Sequence, residues 1–387
     1  MKIFIYIAFA AALAVVPCAL GAAAETKNDA VQAVVVGAKD EHYRRFGLDR
    51  EGVAAWEDGT RTGGADGTYE WWYFDAYMDD GSSLVIVFYT RSMMNPDAPL
   101  VPFATLEWSD ADGTKASERI QLDASSFDAS IRQCDVRIGG ASIRGNLKEY
   151  EITFKNNNVD VTALLRSNVS PWRNKTGFRL YGDNEEYYAA WLCAVPEGHV
   201  TATVTLNGVT KTFNGSGYHD HNWGNRPLWQ MQNDWYWGRA KAGPYVMITS
   251  FITTAKTYGF KTFTTFLLAK DGRIIADDAD KVSFDASQIW QDKNTGIRVA
   301  DKLVYLYDDE QTRYRVEYQR QDTILETSMM RALSESQRRK AQTDGNRMTY
   351  YRFVGDATVY GVKDGKPIAA QRAPSAIWEL MYPGLLK

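Results

Sequence analysis

The feature that most constrains this chain is a repeated couple: an aromatic, β-branched run, a tight-turn pair, and a second such run. Residues 73–78 and 83–90 flank Asp79-Asp80-Gly81. Residues 200–206 and 209–213 flank Asn207-Gly208, residues 262–269 and 273–276 flank Asp271-Gly272, and residues 358–362 and 366–370 flank Asp364-Gly365. Asn-Gly and Asp-Gly suit two-residue hairpins because their backbones tolerate positive φ. Only residues 327–341 carry a helical composition, and residues 28–46 are ambiguous between helix and strand. With so little helix, the expected class is all-β, built as two antiparallel sandwich or barrel units. The expected organisation is residues 1–24 as a signal, 25–230 as the first unit and 231–387 as the second, packed tightly because no long polar linker divides them.

Residues 3–24 form an uncharged apolar run behind Lys2, and Ala22 and Ala24 fit an A-x-A type cleavage site. The expectation is a cleaved signal peptide and a secretory or secreted protein. A membrane anchor is the competing reading of that run, since about 20 apolar residues span a bilayer; no other stretch reaches spanning length. Secretion would make the Asn-x-Ser/Thr triplets at Asn168, Asn174 and Asn214 candidate glycosylation sites, and would permit a Cys134–Cys193 disulfide that sequence alone does not decide. The net charge is −4 with no basic block, which argues against nucleic acid or anionic membrane surfaces as partners. The 12 Trp, 22 Tyr and 16 Phe fit either a large core or a large apolar pocket for a lipophilic small molecule.

Three segments carry the candidate chemistry. In Glu70-Trp71-Trp72-Tyr73-Phe74-Asp75, period-two alternation puts Glu70, Trp72 and Phe74 on one face and Trp71, Tyr73 and Asp75 on the other. Glu70 and Trp72 are expected to wall a pocket, although a core strand with satisfied acids would use the same residues. In Gly217-Tyr218-His219-Asp220-His221-Asn222-Trp223-Gly224, His219, His221 and Trp223 share one face and Tyr218, Asp220 and Asn222 the other. A metal would need a further ligand that no spacing marks, and Ser216 in Gly-Ser-Gly does not form a G-x-S-x-G elbow. The reading is therefore free of metal and cofactor, with Tyr218, Asp220, His221 and Asn222 as donors or acid/base groups. Apolar surroundings would keep the aspartate protonated and able to donate. A buried polar network locking the two halves together competes with it. The third segment packs Trp229, Trp235, Trp237 and Tyr245 close behind Trp223, so that four of the 12 tryptophans fall between positions 223 and 237. Trp223, Trp229, Trp237 and Tyr245, joined by Trp191, are expected to line the pocket.

The first two motifs and their separation resemble the carotenoid 1,2-hydratase (hydroxyneurosporene synthase) superfamily of lipocalin-like, AttH-like proteins, over about residues 50–385. The resemblance implies two lipocalin-like β-domains with a pocket at their junction. Members include carotenoid hydratases and fungal Diels–Alderases, which close decalin rings or join a tropolone quinone methide to a terpene alkene. The secretion signal, the sequons and the Gly-Tyr-His-Asp-x-Asn-Trp-Gly form make the chain look closer to the fungal enzymes, and among them it looks most like the tropolone–sesquiterpene hetero-Diels–Alderases. The family also implies an alkene-protonating Asp two residues after a Tyr, matched by Tyr218 and Asp220, with Trp191 roughly where an upstream Trp belongs. Three functions remain open: a pericyclase acting on polyene, tropolone or terpene substrates, an isoprenoid hydratase, and a carrier of lipophilic molecules.

Overall fold

A computed structural model describes residues 30–363 and 366–387. The expected signal segment and the Asp364-Gly365 turn lie outside the described residues. All 22 described strands belong to two antiparallel sheets, of 13 and 9 strands. The first runs from Lys115–Gln121 through Phe103–Ser109 and Ser83–Tyr89 to Tyr69–Met78. It then crosses to Val209–Gly224 and Tyr187–Leu206 and continues to Phe127–Ala129. That one crossing lays the two motif segments side by side. The second sheet makes the same move, setting Gln232–Ala242 beside the last strand, Lys366–Tyr382.

The hairpin signals fold as their chemistry requires. Asn207 and Gly208 adopt φ of 52° and 77°, and Asp271 and Gly272 of 49° and 77°, the doubly positive pattern of a type I′ turn. The expected helix over 327–341 is displaced. Thr327 and Ser328 finish the strand Thr312–Ser328, and the α-helix is Glu335–Asp344. Ser334 accepts from the Gln337 N–H, the Gln337 side chain returns to the Ser334 N–H, and Gly345 closes the other end with φ 84°. A capping box and a left-handed glycine mark the ends more sharply than composition does. The ambiguous stretch divides into the strand Val34–Val36 and the helix Asp40–Phe46.

Each sheet curls around its own apolar interior. The first encloses Trp72, Phe74, Phe88, Leu106, Tyr150 and Ile152 among others. The second encloses Phe266, Tyr305, Tyr318, Tyr351, Phe353 and Trp378. A separate cluster, with Val169, Trp172, Cys193, Tyr218, Ile248 and Leu267, packs one sheet on the other. Cys134 and Cys193 are buried and unpaired, in different clusters. Asn168 and Asn214 are exposed and Asn174 is half-buried.

Candidate active site

The geometry follows from one register. Val209–Gly224 pairs with Tyr69–Met78 so that Asp220 faces Tyr73, His221 faces Trp72, Asn222 faces Trp71 and Trp223 faces Glu70. Directly opposed residues of an antiparallel pair project to the same side of the sheet. The side that carries Asp220 and Asn222 must therefore carry Tyr73 and Trp71, while His221, Trp72, Trp223 and Glu70 go to the other.

A cavity of about 270 Å³ lies on the Asp220 side, between the two sheets. The first sheet contributes Tyr69, Trp71, Tyr73, Trp191, Asp220 and Asn222 to its wall. The second contributes Trp235, Trp237, Ser250, Ile252, Thr265, Tyr350, Glu379 and Met381. Apolar and aromatic walls with a few convergent polar groups are the usual make-up of a small-molecule site.

Asp220 is the best-connected group there. Its Oδ2 accepts from Trp191 Nε1 at 2.8 Å and from the Tyr218 hydroxyl at 2.7 Å, and its Oδ1 accepts from Asn222 Nδ2 at 2.9 Å. Burial pushes its carboxyl up to about 6, against the pull of the Trp191 and Tyr218 hydrogen bonds. Desolvation thus outweighs donors that by themselves would favour the anion. Glu379, from the second sheet, accepts from the Tyr350 hydroxyl at 2.8 Å. Burial lifts it to about 7, with Tyr350 and Arg352 opposing and the Asp220 charge adding. The cavity therefore holds two carboxyls that take up a proton more readily than exposed ones, Glu379 near neutral pH and Asp220 about a unit lower. Asp75, two residues from Tyr73, is held differently: Arg239 ion-pairs with it across the sheet interface, and the Tyr73 hydroxyl donates to it at 3.0 Å.

Of the residues singled out from sequence, Trp191, Asp220, Asn222 and Trp237 line this cavity, and Tyr218 sits beside it, hydrogen-bonded to Asp220. The others lie elsewhere, which corrects their expected placement. His221 and Trp72 stack at 4.6 Å inside the first sheet, and Glu70 accepts from or shares a proton with His221 Nε2 at 2.8 Å. Glu70 also accepts from the Thr60 and Thr62 hydroxyls. Trp223 tilts against His221 and borders a second cavity of about 250 Å³ with Trp56, Phe178 and Tyr188. Trp229 packs with Met94, Leu333 and Met348, its indole N–H on the Met94 carbonyl. Tyr245 lies in the interior of the second sheet. For His221, Trp72, Glu70 and Trp223 the reason is the two-residue period of a strand: adjacent residues such as Asp220 and His221 cannot reach the same chamber, whereas Trp229 sits in the short helix Leu228–Met231.

Trp71, Tyr73 and Trp235 fall inside the sequence motifs but carry no expected place in the wall, and Glu379 and Arg179, which also line it, lie outside them. Trp71 and Tyr73 needed only the register with Asn222 and Asp220. Glu379 did have a local signal, a lone acid within the apolar run of residues 376–382.

Among the described residues, Asp58, Cys134 and His219 bring a carboxylate oxygen, a sulfur and Nε2 within 4.8 Å of one another. They are the one grouping of side chains there able to converge on a metal ion. They lie inside the first sheet, behind the strand that carries Asp220. Asp58 Oδ2 there already accepts from the Tyr150 hydroxyl at 2.5 Å and meets His219 Nε2 at 3.1 Å, while His219 Nδ1 faces the Tyr73 carbonyl at 2.8 Å.

The profile of the Diels-Alderase-like family matches residues 65–326, the stretch that holds both motif strands, Trp191, Trp235 and Trp237. The chain belongs to the Diels-Alderase-like family. Among its relatives is a quinolone epoxide rearrangement protein of Penicillium thymicola, 28% identical over 55% of this chain and 62% of that protein. A protein of the same description from Emericella nidulans is 28% identical over 47% and 53%, and a hydroxyneurosporene dehydrogenase of Chlorobaculum tepidum is 24% identical over 45% and 54%. The chain thus spans between about half and three-fifths of the length of these relatives. In three dimensions it resembles CghA, with a TM-score of 0.55 at 16% identity over 82% of this chain and 88% of that one. It also resembles an AttH protein of Nitrosomonas europaea, at 0.52 and 17% over 81% and 92%. These likenesses establish the two-sheet, lipocalin-like fold.

Proposed function

We propose that the chain is a pericyclase of secondary metabolism. It would join or cyclise a diene or quinone methide, such as a tropolone-derived one, with an alkene, such as a humulene-type terpene, in a Diels–Alder or hetero-Diels–Alder reaction. The observation that carries this reading is the chamber itself: indole and phenol walls from two sheets around two carboxyls whose proton affinity burial has raised, with no histidine or cysteine among the lining residues. A cycloaddition exchanges π bonds for σ bonds and releases nothing, so it needs no nucleophile. It needs two π-systems held in contact in one orientation, which can lower a bimolecular barrier by up to ~7–11 kcal/mol. A protonated Asp220 or Glu379 donating to a carbonyl of the electron-poor partner would stabilise the charge that develops there. The family and the relatives named for epoxide rearrangement support an enzyme of this general kind.

A second reading, proton-initiated hydration of an isoprenoid alkene, is favoured by the Trp191–Asp220–Tyr218 hydrogen bonds, which point an aspartic acid into an apolar space. Isotope labelling separates the two. Reaction in ¹⁸O-water leaves a cycloadduct unlabelled and puts the label into a hydration product. A protein that binds such substrates without accelerating either reaction would be a carrier, and the enzymatic reading would fall.

A further inference from the structure

Arg179 is the one cation among the residues lining the chamber. Among the described residues its guanidinium makes no ion pair or hydrogen bond, and its Nε is buried with no partner. Every other charged group on that wall is engaged, Asp220 by three donors and Glu379 by Tyr350. A guanidinium cannot shed its proton, and its donors form a rigid fork matched to carboxylate-like oxygens. A buried donor that the protein leaves free is one that a bound molecule can satisfy.

The pairing gives this group a setting. Arg179 faces Ala189, Ala189 faces Gly224, and Gly224 faces Tyr69, so the four residues form one row across the first sheet. Two long polar side chains flank two small residues. A Cβ at position 224 would fall 2.3 Å from the Tyr69 hydroxyl oxygen. The glycine thus lets that phenol lie across the sheet toward Ala189 and Arg179. The Arg179 charge favours the tyrosinate there, while burial, the larger effect, keeps the phenol protonated and a donor. Asp220 stands four residues from Gly224 on the same strand, about 13 Å away at roughly 3.3 Å per residue.

From this row we infer that Arg179, with Tyr69, holds an acidic oxygen of the substrate, an enolate, tropolonate or carboxylate, at one end of the chamber while the reacting π-system lies toward Asp220. The inference rests on the chamber being the reaction site and adds the class of head group that it recognises. It makes the enzyme select one partner by charge and the other by apolar shape.

Calorimetric titration of the full-length chain tests it, with tropolone as the acidic probe and 2-methoxytropone as its neutral counterpart. Tropolone is expected to bind the wild type more tightly than 2-methoxytropone. Arg179→Gln should weaken tropolone about tenfold or more, the usual span for a hydrogen bond to a charged group, and leave 2-methoxytropone unchanged. Arg179→Lys should recover part of the loss, and Arg372→Gln, at an exposed arginine of the second sheet that pairs with Asp356, should bind tropolone as the wild type does. Equal binding of tropolone by the wild type and Arg179→Gln overturns the inference, as does no binding of tropolone by the wild type. Ring closure that persists in Arg179→Gln with unaltered KM would remove the arginine's role and leave the reaction standing. Arginine-dependent binding without any ring closure would do the reverse.

Discussion

At the scale of residues, the site turns on how an apolar wall treats two acids. Asp220 and Glu379 are raised to about 6 and about 7 chiefly by burial, so both are better donors at neutral pH than an exposed carboxyl. If Asp220 delivers a hydrogen bond or a proton, Asp220→Asn should lower kcat about 100-fold, within the usual range for general acids, with KM nearly unchanged. Steady-state kinetics on the folded variant check this; unchanged turnover would leave pocket shape alone as the cause. Glu379→Gln should remove the fall in rate expected as pH rises through about 7. The sign for stability follows from the same shift. A carboxyl whose folded value is raised stabilises the fold relative to its ionised form below its unfolded value, and that contribution is lost as pH rises through the folded value. Melting curves should therefore show Glu379→Gln matching the wild type near pH 4, below the ordinary glutamate value of 4.5, and exceeding it above pH 7. A uniform offset at both would contradict the assignment.

At the scale of elements, the two faces of one strand do different work. Trp72 is wholly buried against His221 in the first sheet's interior, whereas Trp71 lines the chamber. Trp72→Ala should cost ~3–5 kcal/mol of stability, the range for truncating a buried large aromatic, and Trp71→Ala should cost little stability but weaken substrate binding. Denaturant titration and binding measured on both variants distinguish these roles. This is also where the sequence stopped being legible. Alternation correctly grouped Tyr218, Asp220 and Asn222 on one face, yet nothing local says which face of a doubly buried strand meets the cavity. That choice is made by the crossing that pairs Tyr69–Met78 with Val209–Gly224, and by a second sheet whose strands cover one side only. Hairpins were readable because their turns have local chemistry. Trp229 and Tyr245 were misplaced because an aromatic side chain looks the same in a core as in a wall.

At the scale of the whole molecule, the chamber exists because two curled sheets, each packed around its own interior, leave a third space between them. Asp75 and Arg239 help fix that spacing as a buried pair across the interface, at 3% and 8% side-chain exposure. Removing one charge strands the other, so Arg239→Met should cost ~3–5 kcal/mol, while Asp75→Leu combined with Arg239→Met should recover most of it. Denaturant titration of the single and double variants measures this coupling. No helix among the described residues is long and apolar enough to cross a membrane, and the lipocalin-like fold fits the binding of a small lipophilic molecule.

The central claim is that the space between the sheets, rather than either interior, brings reactants together. Its most direct measurement is the rate and enantiomeric ratio of cycloadduct formed from a quinone methide and an alkene, with wild-type protein and with Trp71→Ala. The account predicts accelerated formation of one enantiomer by the wild type and loss of that selectivity in the variant. Racemic product at the uncatalysed rate with folded wild-type protein would contradict it.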